Sequence, residues 1–188
     1  MKTSPYALKL FAAALAGVLA SCSSPSAPVT RLQVSSPIRS DSSLSGRLFD
    51  EVNSYRAAKG KASLQRHPGL DRLAQKHSEY LVKTAGSYDL YGKSVSHIGF
   101  EGRALTARQA YNISSLGENV VSSTNHSPKH LVNVWVGSKT HEHNMRSDWY
   151  CTGIGTAVAP DGTVISTQLF GAAPSISPME FNQRFNRH

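Results

Sequence analysis

The sequence predicts an α+β domain, with helices packed on a late antiparallel pair of strands instead of an alternating βαβ chain. Three observations carry this. Two helical apolar periods follow one another between Ser45 and Gly86. Ser127-Pro128 opens a further helix, a capping residue followed by proline at the first position. Two β-branched runs, Tyr150 to Ala159 and Thr163 to Phe170, flank the turn residues Pro160-Asp161-Gly162.

In the first helix Leu48, Phe49, Val52 and Tyr55 recur at the 3.6 period. Ser43 or Ser45 is the expected cap and Gly60 the stop, with Asn53 and Arg56 on the flanks of the apolar stripe. Ala62-Ser63-Leu64 is a short connector. Pro68 suits the first turn of the second helix, whose stripe is Leu70, Leu73, Ala74, His77 and Leu81. His77 therefore points to the core, where a hydrogen-bonded histidine is the expected state. Residues 86–102 read as loop, with His97 inside it, and a short helix is expected from about Leu105 to Tyr111. Ile113 to Val121 reads as a turn into a strand that carries Gly117-Glu118-Asn119.

The helix after Ser127 presents Leu131, Val134 and Trp135. Continuing that face places Ser138 and His141 on one side, near the helix end. In the closing hairpin, Gly153 and Gly155 predict a close approach or a bulge. Phe181 and Phe185 in the tail offer docking groups, and no internal repeat is present.

The chain of 188 residues fits one domain plus a targeting segment. Lys2 and Lys9 give a basic start, and Leu10 to Leu19 is apolar but too short to span a bilayer. It closes on Leu19-Ala20-Ser21-Cys22, which resembles a bacterial lipobox, with Cys22 as the lipidated first residue of the mature chain. An ordinary secretory signal is the alternative, and either one exports the protein. Lipid at Cys22 would anchor the chain to a membrane without spanning it. Ser23 after the cysteine points to the outer membrane of a diderm cell, facing the periplasm. The expected organisation is a lipoprotein signal peptide over 1–21, a Ser/Pro-rich tether over 22–43, the folded domain over 44–173 and a tail over 174–188.

Twenty basic and 12 acidic residues give a net charge of +8. Without Lys2 and Lys9 the balance is 18 against 12, or +6. The basic residues are scattered, with no stripe interleaved with aromatics, so nucleic acid is not an expected partner. A mildly basic surface suits anionic lipid or cell wall. Cys151 is the one cysteine left after Cys22, so the mature domain has no intrachain disulfide and depends on its core. At the start of a β-rich run, Cys151 reads as core.

His97, Glu118 and His141 are the candidate site residues. Neutral imidazoles and a carboxylate suit a divalent ion, zinc most naturally, or an acid/base pair without metal. His141-Glu142-His143 is not a His-Glu-x-x-His pattern, and on a helix positions two apart face different ways. His143 therefore reads as surface, and His126 and His130 as solvated. Asn119 and Asn144 read as residues that hold backbone around a cleft, with Trp135 as the anchor of its helix.

Several motifs follow in order from about Leu48 to Gly171. They are Asn53-x-x-Arg56-x-x-x-Gly60-x-x-x-Leu64, Leu70-x-x-Leu73-Ala74-x-x-His77-Ser78, and His97 followed by Arg103. Then come Gly117-Glu118-Asn119, Trp135-x-x-Ser138-x-x-His141-x-x-Asn144, Gly153-Ile154-Gly155 and Thr167-Gln168-Leu169-Phe170-Gly171. Together they resemble the bacterial branch of the CAP superfamily, the SCP-domain proteins. The resemblance implies a three-layer α-β-α sandwich with a central antiparallel sheet and a cleft holding His97, Glu118 and His141. In a metal-holding cleft His97 and His141 would hold the ion, with Glu118 as a further ligand or as the base for a water. One departure matters: Ser138 stands where many eukaryotic members carry a second glutamate, which weakens both a tight metal site and a two-carboxylate mechanism. Glu142 does not match that position. The leading expectation is thus a ligand-binding protein of the cell envelope, its ligand a lipid, glycan or protein. A metal-assisted hydrolase of peptide or wall material and a structural protein with an inert cleft are the alternatives.

Overall fold

A computed structural model of the chain describes residues 38–84 and 97–173. The expected signal peptide, the lipidation site Cys22, the tether up to residue 37 and the tail 174–188 lie outside the described residues. Those described fall within one unit, Ser35–His188.

Folding begins earlier than the composition suggests. Strand β1 (Arg39–Ser40) pairs with a later strand, and helix α1 (Ser42–Ala58) follows at once. The last residues of the expected tether are therefore part of the fold. Asp41, not Ser43 or Ser45, caps α1, and its carboxylate accepts from Leu44 N at 2.8 Å. Ser45 lies inside the helix and is buried against Thr156, Oγ to Oγ1 at 3.1 Å.

Strand β2 (Gln65–Arg66) and helix α2 (Pro68–Thr84) come next. Helix α3 (Phe100–Tyr111) starts about one and a half turns before the expected Leu105. Gly99 takes a φ of 77° and Phe100 N donates to the His97 carbonyl at 3.0 Å, so the chain turns from His97 directly into α3. Strand β3 (Leu116–Ser123), helices α4 (Pro128–Val136) and α5 (Lys139–Arg146), and strands β4 (Cys151–Val158) and β5 (Val164–Gly171) complete the order.

Trp135, Ser138 and His141 do not share one helix face. Gly137 ends α4, and Ser138 adopts an extended backbone (φ −102°, ψ 119°) as the cap of a new helix, accepting from His141 N at 3.5 Å. Glycine followed by a capping serine is a break signal that the continuous apolar period conceals.

The sheet runs β1-β4-β5-β3, with β2 added in parallel to β4 and the other pairings antiparallel. Helices cover both faces, which makes a three-layer α-β-α sandwich. Every residue of β5 is buried, and its side chains divide by parity. Val164 and Phe170 join Leu44, Leu48, Leu131 and Trp135 under α1 and α4. Leu169 joins Leu70, Ala74 and Ala107 under α2 and α3, and Ile165 joins Leu81 and Val82.

The glycines of β4 let α2 lie directly on the strand. A Cβ at Gly153 would sit 2.2 Å from Asp71 N, and one at Gly155 would sit 2.1 Å from Gln75 N. The same two helix residues satisfy strand amides: Ile154 N donates to Asp71 Oδ1 at 2.8 Å and Thr156 N to Gln75 Oε1 at 3.0 Å.

Arg56 is fully inside, not on a flank, at 2% exposure. It donates to the carbonyls of Ala62 at 2.8 Å, Met145 at 2.6 Å and Ser147 at 3.0 Å. The last two lie at the end of α5, so Arg56 ties that helix to α1. Among the described residues no helix is long and apolar enough to cross a membrane.

Candidate functional site

Strand β3 is the end of the sheet order, and the site gathers at its free edge. Parity sends Val120 to the α2 face and Val121 to the α1 face. Glu118 therefore faces α2 and α3, while Asn119 faces α5.

The Glu118 side chain is 2% exposed, and a carboxylate so buried must be paired. Arg103, one turn into α3, supplies the counter-charge. Its Nε donates to Oε2 at 2.7 Å and its Nη2 to Oε1 at 2.8 Å, a two-pronged pair. The remaining prong, Nη1, donates to the Ile98 carbonyl at 2.9 Å and so pins the loop that carries His97.

His97 Nδ1 lies 2.8 Å from Glu118 Oε1. An ionised carboxylate only accepts, so Nδ1 carries the proton and Nε2 is left for a ligand. The His97 ring is 52% exposed. His141 stands beside it, with ring centroids 6.4 Å apart and planes at 61°. Burial first, and the neighbouring His97 second, hold the pKa of His141 below the usual histidine value. His77 approaches from α2 with Nε2 at 3.9 Å from Glu118 Oε1, beyond hydrogen-bond length.

Two amides fix α5 against β3. Asn119 Nδ2 donates to the His141 carbonyl at 3.0 Å. Asn144 Nδ2 donates to Asn119 Oδ1 at 2.9 Å and to the Glu118 carbonyl at 3.2 Å. Trp149 Nε1 continues the chain, donating to the Asn144 carbonyl at 2.8 Å.

The structure thus sets His97 against Glu118 and beside His141, while Asn119 and Asn144 hold α5 to β3. Ser138 serves as a helix cap, and Trp135 is wholly buried in the core with its indole N–H unpartnered. Glu142 turns away, accepting from Tyr55 Oη at 2.7 Å and from Arg146. Burial, with this acceptor second, pushes the Tyr55 pKa up to about 12. His143 is exposed, Cys151 is buried at the α2 face, and His126 Nε2 lies 2.8 Å from the Gly162 carbonyl.

Sequence reasoning noted Arg103 by position alone and missed its role. Its spacing of six residues from His97 is the one available signal. His77 was legible as a core residue on an apolar stripe, but not as a neighbour of Glu118.

These side chains do not fit a resident metal. Both Glu118 oxygens accept from Arg103, and His97 Nδ1 is committed to the same carboxylate. That leaves one ligand from each of two imidazoles, fewer than the three protein ligands of a catalytic zinc centre. Among the described residues no three His, Cys, Asp or Glu side chains are placed to hold a metal ion. A cation about 4 Å from the guanidinium would meet a repulsion of about 4 kcal/mol per unit charge at an effective dielectric constant of about 20.

Comparison with known proteins matches residues 49–170 to the family model described as CAP, the cysteine-rich secretory protein family. An outer surface protein from Borrelia burgdorferi is 18% identical with a TM-score of 0.54, over 72% of this chain and 98% of that one. An extracellular protein containing an SCP domain from Bacillus anthracis is 20% identical with a TM-score of 0.52, over 80% of this chain and 45% of that one. A cysteine-rich secretory protein from Staphylococcus aureus is 16% identical with a TM-score of 0.50, over 69% and 38%. The chain spans less than half the length of the last two. At these identities the likeness concerns the fold. No curated protein matches the chain.

Proposed function

The chain belongs to the CAP family, and we propose that it is an exported protein, lipid-anchored at Cys22, that binds an envelope ligand through His97 and His141. One observation carries the binding reading. The acid of the cleft, Glu118, is neutralised on both oxygens by Arg103, while two imidazoles remain at the surface above it. Such a site offers hydrogen-bonding groups on a fixed base, but no free carboxylate to activate water. The absence of a second acid, with Ser138 spent as a helix cap, supports the same reading.

The ligand is a lipid, a glycan or a protein of the envelope. Export is supported by the lipobox-like Leu19-Ala20-Ser21-Cys22 and by the descriptions of two neighbours, an outer surface protein and an extracellular protein. In a diderm cell Ser23 favours the outer membrane, on the periplasmic side.

The test is a binding panel of envelope lipids in vesicles, wall glycan fragments and envelope proteins. It compares wild type with the His97→Ala/His141→Ala double variant, both without a histidine tag. Binding that drops at least tenfold in the double variant supports the reading. No binding by wild type, or equal binding by both, contradicts it.

A further inference from the structure

We propose that the solvent face of α2, between Ile38 and Ile98, docks the anchored domain onto an anionic bilayer. The inference rests on the anchor proposed at Cys22 and is independent of the ligand taken by His97 and His141.

Three observations converge on it. The first is charge. Arg72, Lys76 and Lys83 are exposed along α2, and spacings of four and seven residues keep them on one side of the helix. Glu79, the one acid of α2 on that side, is half-buried and accepts from Gln75 Nε2 at 2.8 Å. The face therefore carries an excess of positive charge, complementary to anionic headgroups.

The second is the apolar material beside that charge. Lys76 and Tyr80 line both of two open recesses, one of about 460 Å³ with Ile38 and Lys83, the other of about 370 Å³ with Leu73 and Ile98. Ile38 is 36% exposed and Ile98 46%. Lysine stems, a tyrosine ring and exposed isoleucines are the groups that settle at headgroup level, with their polar ends in water.

The third is where the chain enters the fold. Ile38 directly precedes β1, and Cys22 lies 16 positions earlier. Sixteen residues reach no further than about 58 Å even at full extension. Lipid at Cys22 thus keeps the Ile38 end of the face within that distance of the headgroups.

Three basic side chains are fewer than the roughly four to eight that draw a free protein to anionic lipid. Tethering changes the arithmetic, because an anchored face meets the bilayer at a high effective concentration. Docking then orients the domain and does not replace the anchor. A second copy of the chain is a poor occupant, since two-fold pairing of this face would set lysines against lysines.

The experiment reads lysine accessibility in the exported full-length mature protein, reconstituted into vesicles. One preparation is phosphatidylcholine alone, the other an equal mixture of phosphatidylcholine and phosphatidylglycerol. A brief acetylation pulse is followed by digestion and mass spectrometry, and the same digest shows whether Cys22 carries lipid. Lys76 and Lys83 should label about threefold or more slowly in the anionic vesicles, and high salt should remove the protection. Lys59 at the end of α1 and Lys129 in α4 are exposed on helices that cover the other face of the sheet, and they should label alike in both. Lys83→Glu, a change at an exposed helix position, should return Lys76 to its rate in neutral vesicles.

Equal labelling of Lys76 and Lys83 in the two preparations would overturn the proposal, and this arm needs no variant to fold. Equal protection of Lys59 and Lys129 would overturn it as well. So would equal protection by soluble polyglycerol phosphate without vesicles, which would assign the face to a wall polymer. A chain without lipid at Cys22 overturns both the docking and the anchor, whereas a lipidated chain without protection overturns the docking alone.

Discussion

Asn144 and Asn119 face one another at 2.9 Å, amide nitrogen to amide oxygen, and each also holds a backbone carbonyl of the other's neighbourhood. Asn144 takes the Glu118 carbonyl on β3, and Asn119 takes the His141 carbonyl on α5. The pair therefore sets where His141 stands relative to Glu118. Asn119 is fully buried, so its loss leaves unpaired groups without access to water. Asn119→Ala should cost about 2–3 kcal/mol in urea unfolding and weaken ligand binding together. A change below about 0.5 kcal/mol would show that the amide pair does not hold the two elements.

Arg56 performs the corresponding task from the other side, joining α1 to the end of α5 through the Met145 and Ser147 carbonyls and holding the Ala62 carbonyl as well. Arg56→Met keeps much of the apolar stem and strands those acceptors, with an expected loss of about 3 kcal/mol or more. Arg56→Lys should not restore it, because an ammonium lacks the planar fork. Chemical denaturation of the three proteins decides this, and a lysine variant as stable as wild type would refute the geometric explanation.

Gly155→Ala places a Cβ against the backbone of α2, 2.1 Å from Gln75 N. Helix backbone cannot yield as a flexible side chain does, so the variant should lose about 3 kcal/mol or more, or fail to accumulate folded. Gly162→Ala is a useful contrast. Nothing lies within 4 Å of its Cβ position, and its cost comes from a φ of 84° alone. Thermal melting should rank Gly155→Ala well below Gly162→Ala, and the reverse order would contradict the close packing.

The histidine pair gives a pH prediction with a definite sign. His141 has its pKa lowered by burial and by His97, so the folded state disfavours its charged form. The unfolded chain then binds the proton more readily, and this group's contribution to stability is complete above the usual histidine pKa of about 6.5. It is lost as pH falls from there through the folded value. An NMR titration should place the His141 midpoint below about 6.5. His97→Ala should move it upward, since it removes a neighbouring charge and opens the site to water. An unchanged or lower midpoint in the variant would contradict the arrangement.

Anchoring is testable at one residue. Cys22→Ser should abolish incorporation of labelled fatty acid and release the protein from the membrane fraction. Retention of both label and membrane association would contradict lipidation at Cys22.

Much of the scaffold was legible because its signals are local. Pro160-Asp161-Gly162 between two β-branched runs, and Ser127-Pro128 before an apolar period, each act within a few residues. Gly153 and Gly155 stood out because glycine in a strand signals close approach, and α2 supplies it. The misread parts depend on distant partners or on a local signal masked by a continuing period. Arg56 looks like a flank residue until the carbonyls of Met145 and Ser147 arrive from 89 and 91 residues away. The break at Gly137-Ser138 was hidden because the apolar spacing of Leu131, Val134 and Trp135 continues in register with Ser138 and His141. Of the candidate site, the contact of His97 with Glu118 and its neighbour His141 involve residues singled out by motif. The state of Glu118 was not legible, because it is set by an arginine on another element.

The most direct test of the account is whether a ligand meets the two imidazoles. Wild-type protein labelled at histidine should be titrated with whichever envelope component binds it, while the side-chain 1H–15N signals are followed. The account predicts that His97 and His141 shift together along the binding curve while His126 and His143 stay fixed. Binding that leaves His97 and His141 unmoved would contradict it.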